Sequence, residues 1–160
     1  MMNINIICVG KLKEDYLRMA CAEYEKRLGA FCKLKITELT PARLPENPND
    51  TLIEAALKDE GERILEKISP SEAVFALCIE GKELSSENFS KEIEKCALSG
   101  FGTISFIIGG SHGLSPAVKN RAKFRLSMSP MTFPHQLARV MLLEQIYRAF
   151  MISSGGKYHK

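Results

Sequence analysis

The fold turns on one stretch of this chain: Thr103-Ile104-Ser105-Phe106-Ile107-Ile108, then Gly109-Gly110-Ser111-His112-Gly113-Leu114, then Ser115-Pro116. The first six residues are mostly apolar and β-prone, as in a parallel strand covered on both faces. Three glycines within the next five residues permit positive φ angles and close backbone approach to a ligand, although a tight turn needs them equally. Ser115-Pro116 is an N-cap and first-turn pair for a short helix running to about Lys123. The unit is therefore strand, glycine loop, helix. In an open α/β sheet, ligands bind outside the carboxyl ends of the strands, where this loop would lie. Its spacing is neither G-x-G-x-x-G nor a Walker A loop.

The same alternation extends in both directions. Asn3–Val9 is a β-rich run, and Glu14–Phe31 has the apolar stripe of an amphipathic helix through Leu17, Ala20, Cys21, Tyr24 and Leu28. Lys33–Leu39 alternates as a half-buried strand. Thr40–Asp50 is a proline-rich loop whose Asp50 is placed to cap a helix over Thr51–Ile68. Ala73–Ile79 is a continuous apolar strand, Ser86–Leu98 a helix and Phe124–Met128 a short last strand. Pro134 opens a long helix to about Ile152, and Ser153–Lys160 is a tail. The pattern predicts an α/β fold with a mostly parallel sheet flanked by helices, in one domain over residues 1–160.

Charge is distributed unevenly. Ser111–Lys160 carries eight Lys or Arg against one acid, Glu144, for a net of +7, whereas the first 110 residues sum to −4 and the whole chain to +3. All three histidines fall in the basic segment. An anionic partner is implied at that end. No apolar run approaches the roughly 20 residues of a membrane span. The N-terminus lacks the pattern of a secretory signal and reads as a strand. Five scattered cysteines, with no Cys-x-x-Cys pair, argue against a disulfide framework or a zinc site. They suit small, reduced core residues of a cytoplasmic protein, with no metal.

Two further strand ends resemble the first. Glu80-Gly81-Lys82-Glu83 follows the apolar strand as an exposed loop, with Glu80 a weak ligand candidate. Met128-Ser129-Pro130-Met131-Thr132-Phe133-Pro134 is stiffened by two prolines, and its backbone amides and carbonyls suit a purine edge. Three such loops favour a flat, neutral ligand such as a nucleoside. On the long helix, His135, Arg139, Leu142, Ile146, Ala149 and Phe150 share one face, with Leu137, Met141, Glu144 and Arg148 opposite. A helix apolar on all sides is buried or lies in a subunit interface. Glu144 precedes Arg148 in the favourable i,i+4 order. That pair either satisfies itself, or an arginine emerges at a dimer seam beside the loops. Lys157-Tyr158-His159-Lys160 could clamp phosphate and stack on a base, and the Gly155-Gly156 hinge would let it fold back.

Four segments in register resemble a known family: Ile107–Leu114, Ser129–His135, Glu144–Ala149 and Tyr158–Lys160, supported by Ile6–Lys13. They are similar to the ribosomal RNA large subunit methyltransferase H family, a branch of the SPOUT class. The resemblance spans the whole chain. It implies S-adenosylmethionine as methyl donor, and N3 of a pseudouridine in 23S ribosomal RNA of the large subunit as acceptor. It also implies a homodimer and a trefoil-knotted C-terminal half, a threading that general topology rules disfavour.

Carried over by position, the cofactor residues are Leu77, Gly109, Met128, Ser129, Pro130, Met131, Thr132 and Phe133. The RNA-side residues are His135, Arg139, Tyr158 and Lys160. Arg148 and His159 are the catalytic candidates, stabilising charge that develops on the acceptor base. Two alternatives share parts of this pattern. A SPOUT enzyme acting on transfer RNA would keep the loops, and a non-catalytic RNA-binding module would need only the basic segment. A dinucleotide-dependent enzyme is disfavoured by the missing G-x-G-x-x-G loop.

Overall fold

Alternation within the strands decides which helices cover which face of the sheet. In the computed structural model, which describes Met1–Lys160, the strands are β1 (Met2–Val9), β2 (Cys32–Leu39), β3 (Ala73–Glu83), β4 (Thr103–Ile108) and β5 (Phe124–Ser127). The helices are α1 (Asp15–Leu28), α2 (Asp50–Leu65), α3 (Ser86–Leu98), α4 (Pro116–Arg121) and α5 (His135–Ser153). Ile4, Ile6, Cys8, Phe75, Ile104, Phe106 and Ile108 point to one side, where they pack with residues of α1, α3 and α5. Ile7, Val9, Val74, Ala76 and Ile107 point to the other, against Ile64 of α2 and Val118 of α4. The central strands β1 and β4, and β3 over Ala73–Ala76, thus bury both of their faces, as the apolar runs required, whereas the edge strand β2 exposes alternate residues.

The five strands are all parallel, in the order β2-β1-β4-β3-β5. The chain steps from β4 over β3 to reach β5 at the sheet edge, so the β4–α4 connection and the loop after β5 meet beyond the end of β3. Phe75 stands at the centre of an aromatic cluster, with ring centroids 5.1 Å from Phe106 and 5.4 Å from Phe124. Cys8, Cys21, Cys32 and Cys96 are buried free thiols, and Cys78 is half-buried. Burial pushes the thiols of Cys8 and Cys32 up to about 11, so they act as small apolar side chains. No helix is long and apolar enough to cross a membrane.

Three expectations shift in detail. The cap of α2 is Asn49, whose side chain accepts from Leu52 N at 2.9 Å, and Asp50 occupies the first helical turn. Helix α1 ends at Leu28, with Gly29 as its C-cap, and Phe31 beyond it stacks on Phe150, ring centroids 5.9 Å apart. Residues Glu80–Glu83 are strand rather than loop: the β3–β5 register breaks between Leu77 and Lys82 and then resumes. Gly81 makes this bulge possible, since a Cβ there would lie 2.7 Å from the Arg125 carbonyl oxygen.

Candidate active site

The carboxyl ends of β3, β4 and β5 and the start of α5 enclose a cleft of about 900 Å³, within the range of small-molecule sites. Leu77, Gly109, Met128, Ser129, Met131, Thr132 and Phe133 line it, as does the whole Gly109–Leu114 loop. Pro130 stays outside the wall, exposed at the turn of its loop. That loop is held by its own bonds: Ser127 Oγ donates to the Ser129 carbonyl at 3.1 Å, and Ser129 Oγ accepts from Met131 N at 3.0 Å.

The glycine loop folds against itself. Gly110 and Gly113 form an isolated antiparallel bridge, and Gly113 adopts φ +83°. A Cβ on Gly109 would sit 2.4 Å from the Gly113 carbonyl oxygen, so glycine is required there by the loop's closure. Cleft walls are otherwise neutral, apart from His112, His135 and the facing pair Glu80–Lys119. Its hydrogen bond from Lys119 holds the Glu80 carboxyl below the usual carboxylate range.

His135 lies at the mouth of the cleft, half-buried. Burial, with Arg139 and Lys13 nearby, pulls its pKa below the ordinary histidine value. It is therefore poised to be neutral at pH 7, a hydrogen-bonding rather than a charged group. Arg139 corrects an expectation. It is 3% exposed, with Nη1 2.8 Å from Glu38 Oε2 and Nη2 donating to the Gly10 carbonyl at 3.2 Å. The apolar side of α5 carries this arginine into the core, where it ties α5 to the ends of β1 and β2. No phosphate reaches it in this arrangement.

The tail folds back, as its glycine hinge allowed, with Gly155 at φ +74°. Glu144 Oε1 accepts from Arg148 Nε at 2.9 Å, from Arg148 Nη2 at 2.6 Å and from the Tyr158 hydroxyl at 3.1 Å. Arg148 Nη1 lies 3.0 Å from His159 Nδ1, and the Arg148 guanidinium sits 4.7 Å from the Tyr158 ring centroid. The hydrogen bonds from Arg148 to Glu144 strengthen its cationic form. Tyr158 is shifted up, first by burial and then by Tyr24 and Glu144. Lys160 is exposed beside this cluster.

Neither Arg148 nor His159 lines the cleft. Ala138 is the last α5 residue in its wall. Arg148 comes ten positions later, about 15 Å further along the helix axis. Within one chain the cleft and the Arg148–His159 cluster are therefore separate.

A family model described as "Predicted SPOUT methyltransferase" matches residues 2–159. The chain belongs to the SPOUT methyltransferase family. Similar proteins named ribosomal RNA large subunit methyltransferase H occur in Streptococcus thermophilus (53% identical), Ligilactobacillus salivarius (54%) and Leuconostoc mesenteroides (51%). Each match covers 99% of this chain and 100% of the relative.

For a SPOUT methyltransferase acting on an anionic polymer, the +7 segment offers fewer free cations than its count suggests. Lys119 is paired with Glu80, Arg121 donates to the Ser69 and Glu72 carbonyls, and Arg125 donates to Lys119 O and Asn120 Oδ1. These bases brace α4 and β5. Sequence reasoning also missed Glu38, Ser86 and Glu87. The last two lie at the start of α3, where Ser86 Oγ donates to Gln145 Oε1 at 2.7 Å and Glu87 meets His159. Nothing in local spacing marks them, because their partners lie 59 and 72 residues away.

Proposed function

We propose that this SPOUT methyltransferase uses S-adenosylmethionine to methylate N3 of a pseudouridine in 23S ribosomal RNA, as a cytoplasmic homodimer with a trefoil-knotted C-terminal half. The observation that carries the proposal is the pairing of a neutral strand-end cleft with a separate cationic cluster on α5 and the tail. The names of the relatives support ribosomal RNA as the substrate class.

The cleft fits the proposed donor. It has the volume for a nucleoside-sized ligand, 10 of its 21 lining residues are hydrophobic, and its single carboxylate is already paired. Leu77, Met128 and Phe133 would give the adenosine an apolar wall, and backbone groups of Gly109 and the Met128–Phe133 loop would offer it hydrogen bonds. When bound, the donor supplies an electrophilic methyl group on a sulfonium. Positioning then dominates the rate, because in-line displacement needs the reacting atoms within about 3.5 Å.

Separation of cleft and cluster along α5 supports assembly from two copies, with the cleft of one facing Arg148, Tyr158 and His159 of the other. Ile79 and Met131 at the cleft rim are 53% and 72% exposed, and Leu137 on the outward face of α5 is 39% exposed. Such apolar side chains suit burial against a second copy. In the assembled site, Arg148 would stabilise negative charge developing on the acceptor base. His135 and Lys160 would contact the RNA around it.

The test uses labelled S-adenosylmethionine with intact ribosomes, free ribosomal RNA and transfer RNA, followed by nucleoside mapping. Label at N3 of a pseudouridine in large-subunit RNA is the expected result. Label only in transfer RNA would move the enzyme to a different substrate. RNA binding with no label transferred to any of them would leave only a binding module.

A further inference from the structure

Beside the Tyr158–Glu144 bond, the His159 ring is held at two points, of which Arg148 is one. The other is Glu87, in the first turn of α3, whose Oε1 lies 2.7 Å from His159 Nε2. These two contacts fix the chemical form of the imidazole. Guanidinium nitrogens only donate hydrogen bonds, so Nδ1 facing Arg148 Nη1 at 3.0 Å must be the unprotonated, accepting nitrogen. Nε2 then carries the hydrogen and donates it to Glu87. A hydrogen on Nδ1 would point at a cation. The neutral Nε2–H tautomer is the only one that satisfies both neighbours.

We propose that Glu87 is a positioning residue for methyl transfer: through Nε2 it sets the ring orientation and docked position of His159, and so holds Nδ1 against Arg148, the contact that selects the tautomer. This role rests on the methyltransferase reading above for its kinetic consequence, not for its structural one. The network around it is continuous. Ser86 donates to Gln145, Gln145 Nε2 donates to Glu144 Oε2 at 2.8 Å, and Glu144 gathers Arg148 and Tyr158. The start of α3 therefore holds the tail site from two adjacent residues, Ser86 through α5 and Glu87 through the tail. Hydrogen bonding from His159 also keeps the Glu87 carboxyl below the usual carboxylate range. An acid in the first turn is favoured by any helix, and Ser85 already caps this one by accepting from Asn88 N. Helix stabilisation alone would leave His159 indifferent to Glu87.

Full-length Glu87→Ala and Glu87→Gln proteins separate the two roles. The tautomer is read by ¹⁵N NMR of histidine-labelled protein without substrate, and kcat and KM by methylation of ribosomes. In the wild type, His159 should show a single Nε2–H tautomer. Glu87→Ala should give a tautomer mixture and lower kcat about tenfold to a hundredfold, the scale of a slightly misplaced group, with little change in KM for ribosomes. Glu87→Gln keeps an accepting oxygen and should restore the tautomer and most of kcat. A single tautomer retained in Glu87→Ala would overturn the proposal, as would unchanged kcat, or a Gln variant as impaired as the Ala variant. A wild type inactive on ribosomes would strike the functional reading instead, and the tautomer comparison would still decide whether Glu87 fixes His159.

Discussion

Replacing Arg139 with methionine separates a core latch from an RNA contact. The side chain of Arg139 is 4% exposed and that of Glu38 is 35% exposed. Methionine keeps much of the apolar stem but removes the bonds to Glu38 at 2.8 Å and to the Gly10 carbonyl at 3.2 Å. Breaking a fully buried ion pair costs about 3–5 kcal/mol, because the surviving charge is stranded. Here Glu38 can rehydrate, which places the loss near the lower bound, at about 3 kcal/mol. For a chain of this length that corresponds to a fall in Tm of about 6–10 °C. Calorimetry measures the stability, and RNA affinity is titrated against salt below the lowered Tm. A phosphate contact would contribute about 0.7–0.9 to the slope of log affinity on log salt. The buried position predicts an unchanged slope and a large stability loss. A shallower slope with Tm preserved would refute the latch and return Arg139 to the RNA surface.

Other consequences can be tested separately. Gly109→Ala forces a methyl group 2.4 Å from the Gly113 carbonyl, so the loop must open; overpacking of this kind costs about 1–3 kcal/mol, and calorimetry should find S-adenosylmethionine affinity reduced about tenfold or more. Cys78 lines the cleft and is the only cysteine not fully buried, so a thiol reagent should label it first, with S-adenosylhomocysteine slowing that labelling; protection of no cysteine would place the ligand elsewhere. His135 is held below its ordinary 6.5, first by burial and then by Arg139 and Lys13. The unfolded chain therefore binds more protons than the folded one as pH drops below about 6.5, so this contribution to stability is complete above that pH and is lost below it. His135→Gln should flatten the fall in Tm between pH 7.5 and pH 5.5, and an unaltered profile would count against a buried neutral imidazole. Arg148→Ala should abolish methylation while leaving cofactor binding by calorimetry largely intact, because Arg148 lies outside the cleft.

What could be read from the chain follows the range of the interactions. Strand and helix identities depend on patterns within ten or so residues, and the covered strand Thr103–Ile108 and the Ser115-Pro116 cap stand where local chemistry puts them. The glycine loop, the Met128–Pro134 loop and Leu77–Glu80 of β3 meet at one cleft because parallel strands bring their carboxyl sides to one edge. Glu80–Glu83 misled because a glycine beside charged residues resembles a turn, whereas Gly81 answers to the backbone of β5, more than forty residues away. Arg139 misled for a related reason. A helix apolar on all sides does not show which face turns to the core, and its arginine is legible as buried only once Glu38 is known to lie opposite. The tail network was visible only in part: Glu144 and Arg148 share a helix, while Glu87 needs the packing of α3 on α5 to come within reach.

The charge of the last fifty residues also changes meaning once each base is followed to its partner. Lys119, Arg121, Arg125 and Arg139 neutralise acids or satisfy carbonyls within the fold. Lys123 sits 5.5 Å from the Phe101 ring centroid, and Arg148 is held by Glu144. The tail contributes Lys157 and Lys160 as exposed cations beside Tyr158 and His159. Within this segment the exposed, unpaired cations therefore concentrate at the tail, next to Arg148, and away from the cleft, whose two opposite charges cancel. That separation has a physical use. A cationic methyl donor would be repelled by free arginines lining its own pocket, whereas a base losing its proton is stabilised by a guanidinium close by. Placing the two environments some 15 Å apart along α5 keeps both requirements satisfied in a single protomer. On the proposed reading, turnover requires a geometry that brings the cleft and the cationic cluster together, and two copies with α5 at their seam would provide one.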